Sequence, residues 1–237
     1  MLKSKKEARM KIIILKNKKE VAQKTSEIIK VELKRKPSLV LGLATGKTML
    51  LLYKNLVSLY KKGKIDFSKT VTFNLDEYLE KNTLRDFMNK HLFNKINIKK
   101  ENIYFLNGKA RNIKKECWNY EKEIKKSNGI DLQILGIGKN DHIGFNEPGS
   151  NLNSKTRKVK LSNITRTSKS IPKYTLTMGL KTIMEAKKIV LLATGRSKAN
   201  AIAKAIKGEI SKQIPATILQ KHKRVIFIID ESAASKL

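Results

Sequence analysis

Four short stretches of the chain combine residue types that do chemistry. The most specific is Gly136-Ile137-Gly138-Lys139-Asn140-Asp141-His142-Ile143-Gly144-Phe145-Asn146-Glu147-Pro148-Gly149, which sets a histidine and a glutamate five positions apart in a glycine-rich run. Histidine titrates closest to neutrality, and a nearby carboxylate can orient or charge its imidazole. The alternative is a surface histidine in a turn. His91 and His222 stand at no ligand-like spacing from this cluster, so a metal is not expected. The second stretch, Phe73-Asn74-Leu75-Asp76-Glu77-Tyr78, places two adjacent acids after an apolar run. Acids at a strand's carboxyl end can face a cleft, where burial tunes one as a base; a helix cap or a solvated turn uses the same pair structurally.

The other two stretches open helices. In Leu41-Gly42-Leu43-Ala44-Thr45-Gly46-Lys47-Thr48, Gly46 permits close backbone approach, Thr48 offers a hydroxyl, and the helix start supplies free N–H donors for an anion. It is not a P-loop, because Gly42 stands one position too close to Gly46. An ordinary strand-to-helix turn fits it equally well. In Ala193-Thr194-Gly195-Arg196-Ser197-Lys198-Ala199 a cation stands at a helix start, a poor place against the dipole unless an anion sits there.

These stretches need elements to position them. Continuous apolar runs predict strands at Lys11–Leu15, Leu39–Leu43, Val71–Leu75, Ile103–Leu106, Leu132–Leu135, Ile189–Leu192 and Val225–Ile229. Their lack of alternation fits strands covered on both faces. Between them, Val21, Ile28, Ile29 and Leu33 share one face of a helix starting near Lys18. Thr48–Lys62 is apolar nearly all round, which predicts a buried helix, and Lys198–Lys207 predicts another. The alternation of strand and helix implies an α/β, doubly wound, mostly parallel sheet with helices on both faces. Ligands in such sheets sit outside the carboxyl ends of the strands.

Composition sets the outer bounds. At 237 residues, without internal repeats or low-complexity linkers, the chain is expected to be one domain over 1–237. With 40% hydrophobic residues it has enough apolar material for a core; 12 Gly, 4 Pro and the single Cys117 exclude collagen-like and disulfide-rich classes. Its longest early apolar run, Ile12–Leu15, is too short for a secretory signal or a membrane span, so a cytoplasmic protein is expected. A lone thiol fits a reducing compartment. The net charge of +32 raises the question of nucleic acid. Yet the lysines are spread along the chain, and the clusters Lys3–Lys6 and Lys16–Lys19 read as a solvated terminus and a helix start. Aromatics are only 6%, with no stacking signature, so weak polyanion binding is expected but no specific nucleic-acid site.

Taken together, the four stretches resemble the glucosamine-6-phosphate deaminase family, the larger set that includes 6-phosphogluconolactonases. The resemblance runs from Met10 to about Ser235 and is supported by Leu106-Asn107-Gly108, Lys173-Tyr174-Thr175-Leu176-Thr177-Met178-Gly179, Pro215-Ala216 and Asp230-Glu231. Residues 1–9 lie outside it, as an extension expected to be disordered, with Met10 a second candidate start. The stretch His142-Ile143-Gly144-Phe145-Asn146-Glu147-Pro148 looks like the deaminase version; lactonases carry a Thr-Ala-Ser-Leu-Phe-Pro-like run there. The resemblance implies a Rossmann-like fold and conversion of glucosamine 6-phosphate and water to fructose 6-phosphate and ammonia, with no metal or organic cofactor. It implies Asp76 as the base moving a proton between C2 and C1 of the open-chain sugar through an enediol-type intermediate. His142 would open the pyranose ring by proton transfer at O5, with Glu147 holding and charging the imidazole and Asn140 at the third ring-opening position. Gly46, Lys47, Thr48 and Lys198 would bind the phosphate. Another hexosamine phosphate, a lactonase-like hydrolysis and a non-catalytic sugar-phosphate binder are the alternatives. The partner is a small sugar phosphate, not a membrane, and relatives are monomers or hexamers.

Several positions depart from the family pattern. Asp141 stands where the family usually has Gly, while the preceding position, Asn140 here, is Asp in some relatives and Asn in others. Lys47 and Met49 replace a small residue and Pro. The stretch after Tyr78 is shorter than usual, with Leu84 where many relatives carry a lid tyrosine. The segment between Arg166 and Pro172 is short, and the family's phosphate-gripping arginine has no clear counterpart, Lys169 being the candidate substitute. The reaction class is therefore expected to hold better than the substrate identity.

Overall fold

A computed structural model describes residues 10–166, Ser168 and 170–237; Lys169 and the expected extension at 1–9 lie outside the described residues. The elements in chain order are β1 (Lys11–Leu15), α1 (Lys18–Arg35), β2 (Val40–Leu43), α2 (Met49–Lys61), β3 (Val71–Asn74), β4 (Asp76–Tyr78), α3 (Thr83–His91), β5 (Ile103–Tyr104), α4 (Ile113–Lys126), β6 (Leu132–Leu135), β7 (Arg157–Lys160), β8 (Tyr174–Thr177), α5 (Leu180–Met184), β9 (Ile189–Ala193), α6 (Ala199–Lys207), β10 (Val225–Asp230) and α7 (Glu231–Ala234). Short 3₁₀ turns cover Phe93–Lys95, Lys100–Asn102, Arg196–Lys198 and Pro215–Lys221.

The seven strands expected from apolar runs form one sheet in the order β1-β10-β9-β6-β2-β3-β5, every pairing parallel. β2, β6 and β9 are buried along their whole length, which explains why they read as continuous rather than alternating. The chain leaves β2 toward β3 and β5 but leaves β6 the other way, toward β9 and β10. The order reverses between β2 and β6, so the loops after these two strands flank the switch point, where open sheets of this kind bind ligands.

A second, antiparallel sheet of order β4-β8-β7 was not expected. Its strands are short and carry polar residues, with β7 alternating half-buried and exposed, so no apolar run marks them. Leu75 joins the two sheets: its N–H donates to Leu43 O at 3.0 Å, and its carbonyl accepts from Met178 N at 2.7 Å. Asp76 therefore begins a strand paired with Thr177, rather than lying in a loop after β3. The helix expected at Thr48–Lys62 forms as α2 but is one-sided rather than buried all round. Only Met49, Leu52, Tyr53 and Leu56 are buried, on the face set by i, i+3 and i+4 spacing. In α1, Asn17 caps the start, its Oδ1 accepting from Lys19 N and Glu20 N. Val21, Ile29 and Leu33 are buried on its inner face and Ile28 lies half-buried against the same core.

Candidate functional site

Loops from the carboxyl ends of β2, β6 and β9 converge with the start of β4. Gly138 shapes the middle loop. Its N–H donates to His142 O at 2.8 Å, and a Cβ there would lie 2.2 Å from His142 Cε1. The imidazole thus packs flat on backbone that only glycine leaves free.

His142, Asn140 and Glu147 form a chain. Asn140 Nδ2 donates to Glu147 Oε2 at 3.3 Å, and Asn140 Oδ1 lies 2.6 Å from His142 Nδ1. With the amide so oriented, Nδ1 carries the proton and donates to Asn140, leaving Nε2 with a free lone pair. Glu147 therefore reaches the ring through the Asn140 amide rather than holding it directly, the amide spanning the gap between carboxylate and imidazole. Burial pushes the His142 pKa down to about 4; Lys198 pushes the same way, and Glu147 and Asp141 oppose it. The imidazole is neutral at pH 7 as a result.

Asp76 faces this loop from β4. A Cβ on Gly144, whose φ is 56, would lie 3.9 Å from Asp76 Oδ2. Burial, reinforced by Glu77, pushes the Asp76 pKa up to about 8. Its carboxyl takes part in no hydrogen bond among the described residues. Glu77 behaves differently. Fully buried, it accepts from Tyr78 N at 2.9 Å, Leu84 N at 3.0 Å and Arg85 N at 2.8 Å, and so caps the start of α3 in place of Asn82. Of the two adjacent acids, one is a cap and the other is buried without a hydrogen-bond partner among the described residues. Leu84 is buried at this cap, while the rings of Tyr78 and Phe145 approach to 5.6 Å.

Gly46 (φ 121) and Lys47 are exposed and Thr48 half-buried at the start of α2. Met49, in place of proline, turns its N–H back to Gly46 O at 3.0 Å. Lys198 is half-buried, and its ammonium donates to Ile137 O at 2.7 Å, which ties the β9 loop to the β6 loop; burial, with Lys139 nearby, lowers its pKa. The Lys198 charge thus acts on His142. Arg166 donates through Nε to Ile171 O at 2.6 Å.

Some supports were not legible in the sequence. The Tyr53 hydroxyl donates to Ala44 O, and Tyr120 OH donates to Asn74 O at 2.5 Å, bracing the ends of β2 and β3. Burial raises both phenols, and the Asp76 charge adds to it. Thr177 Oγ1 accepts from Phe145 N at 3.0 Å, and Thr165 Oγ1 lies 3.4 Å from His142 Nδ1. Among the described residues no group of three or more His, Cys, Asp or Glu could hold a metal ion, and no helix is long and apolar enough to cross a membrane.

Residues 16–227 match the family described as glucosamine-6-phosphate isomerases/6-phosphogluconolactonase. The chain is 49% identical over 239 aligned positions to a glucosamine-6-phosphate deaminase of Thermoanaerobacter sp., covering 95% of this chain and 94% of that one. It is 47% identical to a glucosamine-6-phosphate deaminase of Clostridium botulinum, over 96% and 99% of the two chains. Among solved structures, a monomeric glucosamine-6-phosphate deaminase superposes with a TM-score of 0.93 at 38% identity, over 96% of this chain and 100% of that one. The 6-phosphogluconolactonase of Thermotoga maritima shares the fold, with a TM-score of 0.77 at 20% identity over 94% and 100% of the chains. The chain belongs to the glucosamine-6-phosphate isomerase/6-phosphogluconolactonase family.

Proposed function

We propose that the protein deaminates glucosamine 6-phosphate, yielding fructose 6-phosphate and ammonia. The observation that carries this reading is the linked chain Glu147–Asn140–His142, ending in a free Nε2, in a loop whose Gly144 lies against the raised, unpaired Asp76. Near-complete alignment with relatives of that activity supports it. In this reading His142 Nε2 accepts a proton from the sugar and returns one to O5, opening the ring. Asp76, once ionised, takes the C2 proton and delivers it to C1, and water hydrolyses the resulting C2 imine to the ketone, releasing ammonia. Gly46, Lys47, Thr48 and Lys198 hold the phosphate through N–H groups, a hydroxyl and cations.

The test is ammonia release from glucosamine 6-phosphate, with galactosamine 6-phosphate alongside. Release from the glucosamine ester, lost in Asp76→Asn, is expected. A folded wild-type protein silent on both esters would overturn the reading.

A further inference from the structure

Asn146 lies between Phe145 and Glu147 in the loop after β6, and the deamination reading gives it no part. It is fully buried, and every polar atom of its side chain is used. Nδ2 donates to Ile143 O and to Met178 O, both at 2.9 Å, and Oδ1 accepts from Arg157 Nη1 at 2.8 Å. Two carbonyls on one side and a guanidinium on the other fit an amide, with its nitrogen toward the carbonyls. An aspartate would turn an oxygen toward both carbonyls. An apolar side chain would withdraw their donor and leave the guanidinium without this acceptor.

These contacts join the two halves of the site. Met178 N donates to Leu75 O at 2.7 Å, so the residue before Asp76 stands two hydrogen bonds, through Met178, from the Asn146 amide. Asp76 pairs with Thr177 and Thr177 with Arg157, a row across β4, β8 and β7 whose far end reaches back to Oδ1. On the loop side, Asn146 N donates to Ile143 O at 3.1 Å, closing a tight turn around Gly144, and Phe145 N donates to Thr177 Oγ1 at 3.0 Å. His142 immediately precedes that turn and Glu147 immediately follows it. A Cβ on Gly144 would lie 3.5 Å from Asn146 Nδ2 and 3.9 Å from Asp76 Oδ2, so amide, turn and base pack at one point.

We propose that Asn146 is a positioning residue: its amide fixes the turn between His142 and Glu147 against the antiparallel sheet that carries Asp76, and Arg157 holds that amide in place. It moves no proton itself. This rests on the roles given to His142 and Asp76 above.

The test combines kinetics with hydrogen exchange. Arg157→Met takes the guanidinium from the edge strand β7 and leaves both Nδ2 donations available. At a temperature where calorimetry shows the variant folded, kcat should fall about tenfold, part of the 100-fold that an ångström of misplacement costs. KM should hold, because the groups given to the phosphate come from the loops after β2 and β9. Arg157→Lys, which keeps a cationic donor, should recover part of the loss. Asn146→Ala should cost about 100-fold, and adding Arg157→Met to it should cost nothing more, since both act through one amide. An unchanged kcat in Arg157→Met, a loss carried by KM alone, or losses that multiply in the double variant overturns the proposal. Should Asn146→Ala not fold, Arg157→Met decides alone. Hydrogen exchange read by mass spectrometry needs no turnover: peptides spanning 138–147 should exchange faster in Arg157→Met while those of β9 and β10 stay level. Faster exchange there in a protein that releases no ammonia keeps the brace and removes the deaminase reading; ammonia release with level kcat and an unmoved loop does the reverse.

Discussion

Asp76 and His142 are tuned apart by the same force acting on opposite charge types. Burial raises the carboxylic acid to about 8 and lowers the imidazole to about 4, so both side chains are neutral in the free protein at pH 7. Because kcat/KM reports the free protein, its acid limb should follow Asp76, rising as pH approaches 8, with His142 already able to accept a proton. Glu77→Gln removes the negative neighbour that helps hold Asp76 up, so that limb should move to lower pH; a limb that stays in place would deny that Glu77 acts on Asp76. Stability responds with a defined sign. Between about 4 and 8 the folded protein holds a proton on Asp76 that the unfolded chain has released, so this residue erodes stability as pH rises through that window. Asp76→Asn should therefore raise Tm more at pH 8 than at pH 4, and thermal melts at the two values check it. His142 works at the acid side. Its folded pKa lies below the ordinary 6.5, so stability falls as pH drops from about 6.5 toward 4, where the unfolded chain is protonated first. His142→Gln should flatten that acid loss.

At the scale of elements, the site depends on backbone fits that leave little slack. Gly138→Ala would drive a methyl group into the imidazole, 2.2 Å from Cε1, and the ring rather than the pinned loop would yield. Activity is expected to drop by about 100-fold with little change in the overall melt, since misplacement of a reacting group by an ångström costs that much. Steady-state kinetics beside calorimetry separates this from unfolding. Glu77→Ala should instead cost stability, by about 2 to 3 kcal/mol, because it strips Leu84 N–H and Arg85 N–H at the start of α3, and Tyr78 N–H in β4, of their acceptor. These two positions also mark what the sequence made legible. β2, β6 and β9 were readable because burial on both faces leaves a plain apolar run, whereas β1 is apolar in sequence although Ile12 and Ile14 are exposed at the sheet edge; the loops were readable because Gly, His, Asp and Thr are conspicuous beside such runs. Arg157–Lys160 and Tyr174–Thr177 were not: the first shows one face to solvent, and the second buries threonines on either side of a single leucine, so neither carries an apolar run. The adjacent acids Asp76 and Glu77 were visible as a pair. Which one caps a helix could not be read, because that depends on where α3 begins in space. The resemblance put Asn140 with His142, and its amide does meet the ring; that the same amide spans to Glu147 was hidden, because residue spacing shows a histidine and a glutamate in one loop, not what lies between them.

The whole molecule carries a net charge of +32, and its acids are not evenly placed against it. Asp131 takes Lys36 at 2.6 Å and Lys187 at 2.8 Å, and Glu32 takes Arg35 at 2.6 Å and Lys188 at 3.0 Å, stitching the end of α1 to the strand starts before β6 and β9. These pairs sit at the amino ends of the parallel strands, opposite the loops that build the site. At the carboxyl ends, Lys47 and Arg196 are exposed and Lys198 is half-buried, and no ion pair among the described residues joins any of them to an acid. Such a distribution draws an anionic ester toward the switch point and raises its encounter rate. Screening shortens that reach to about 10 Å at 0.1 M salt. kcat/KM for glucosamine 6-phosphate should therefore fall several-fold between low and physiological ionic strength, while kcat, measured with the site filled, stays level. Lys47→Gln should reduce the slope without abolishing turnover, because its exposed side chain adds to the field while the backbone of the Gly46 turn is retained. A kcat/KM indifferent to salt would mean that the positive surface is spent on solvation alone, and that the phosphate is captured only by the groups it touches.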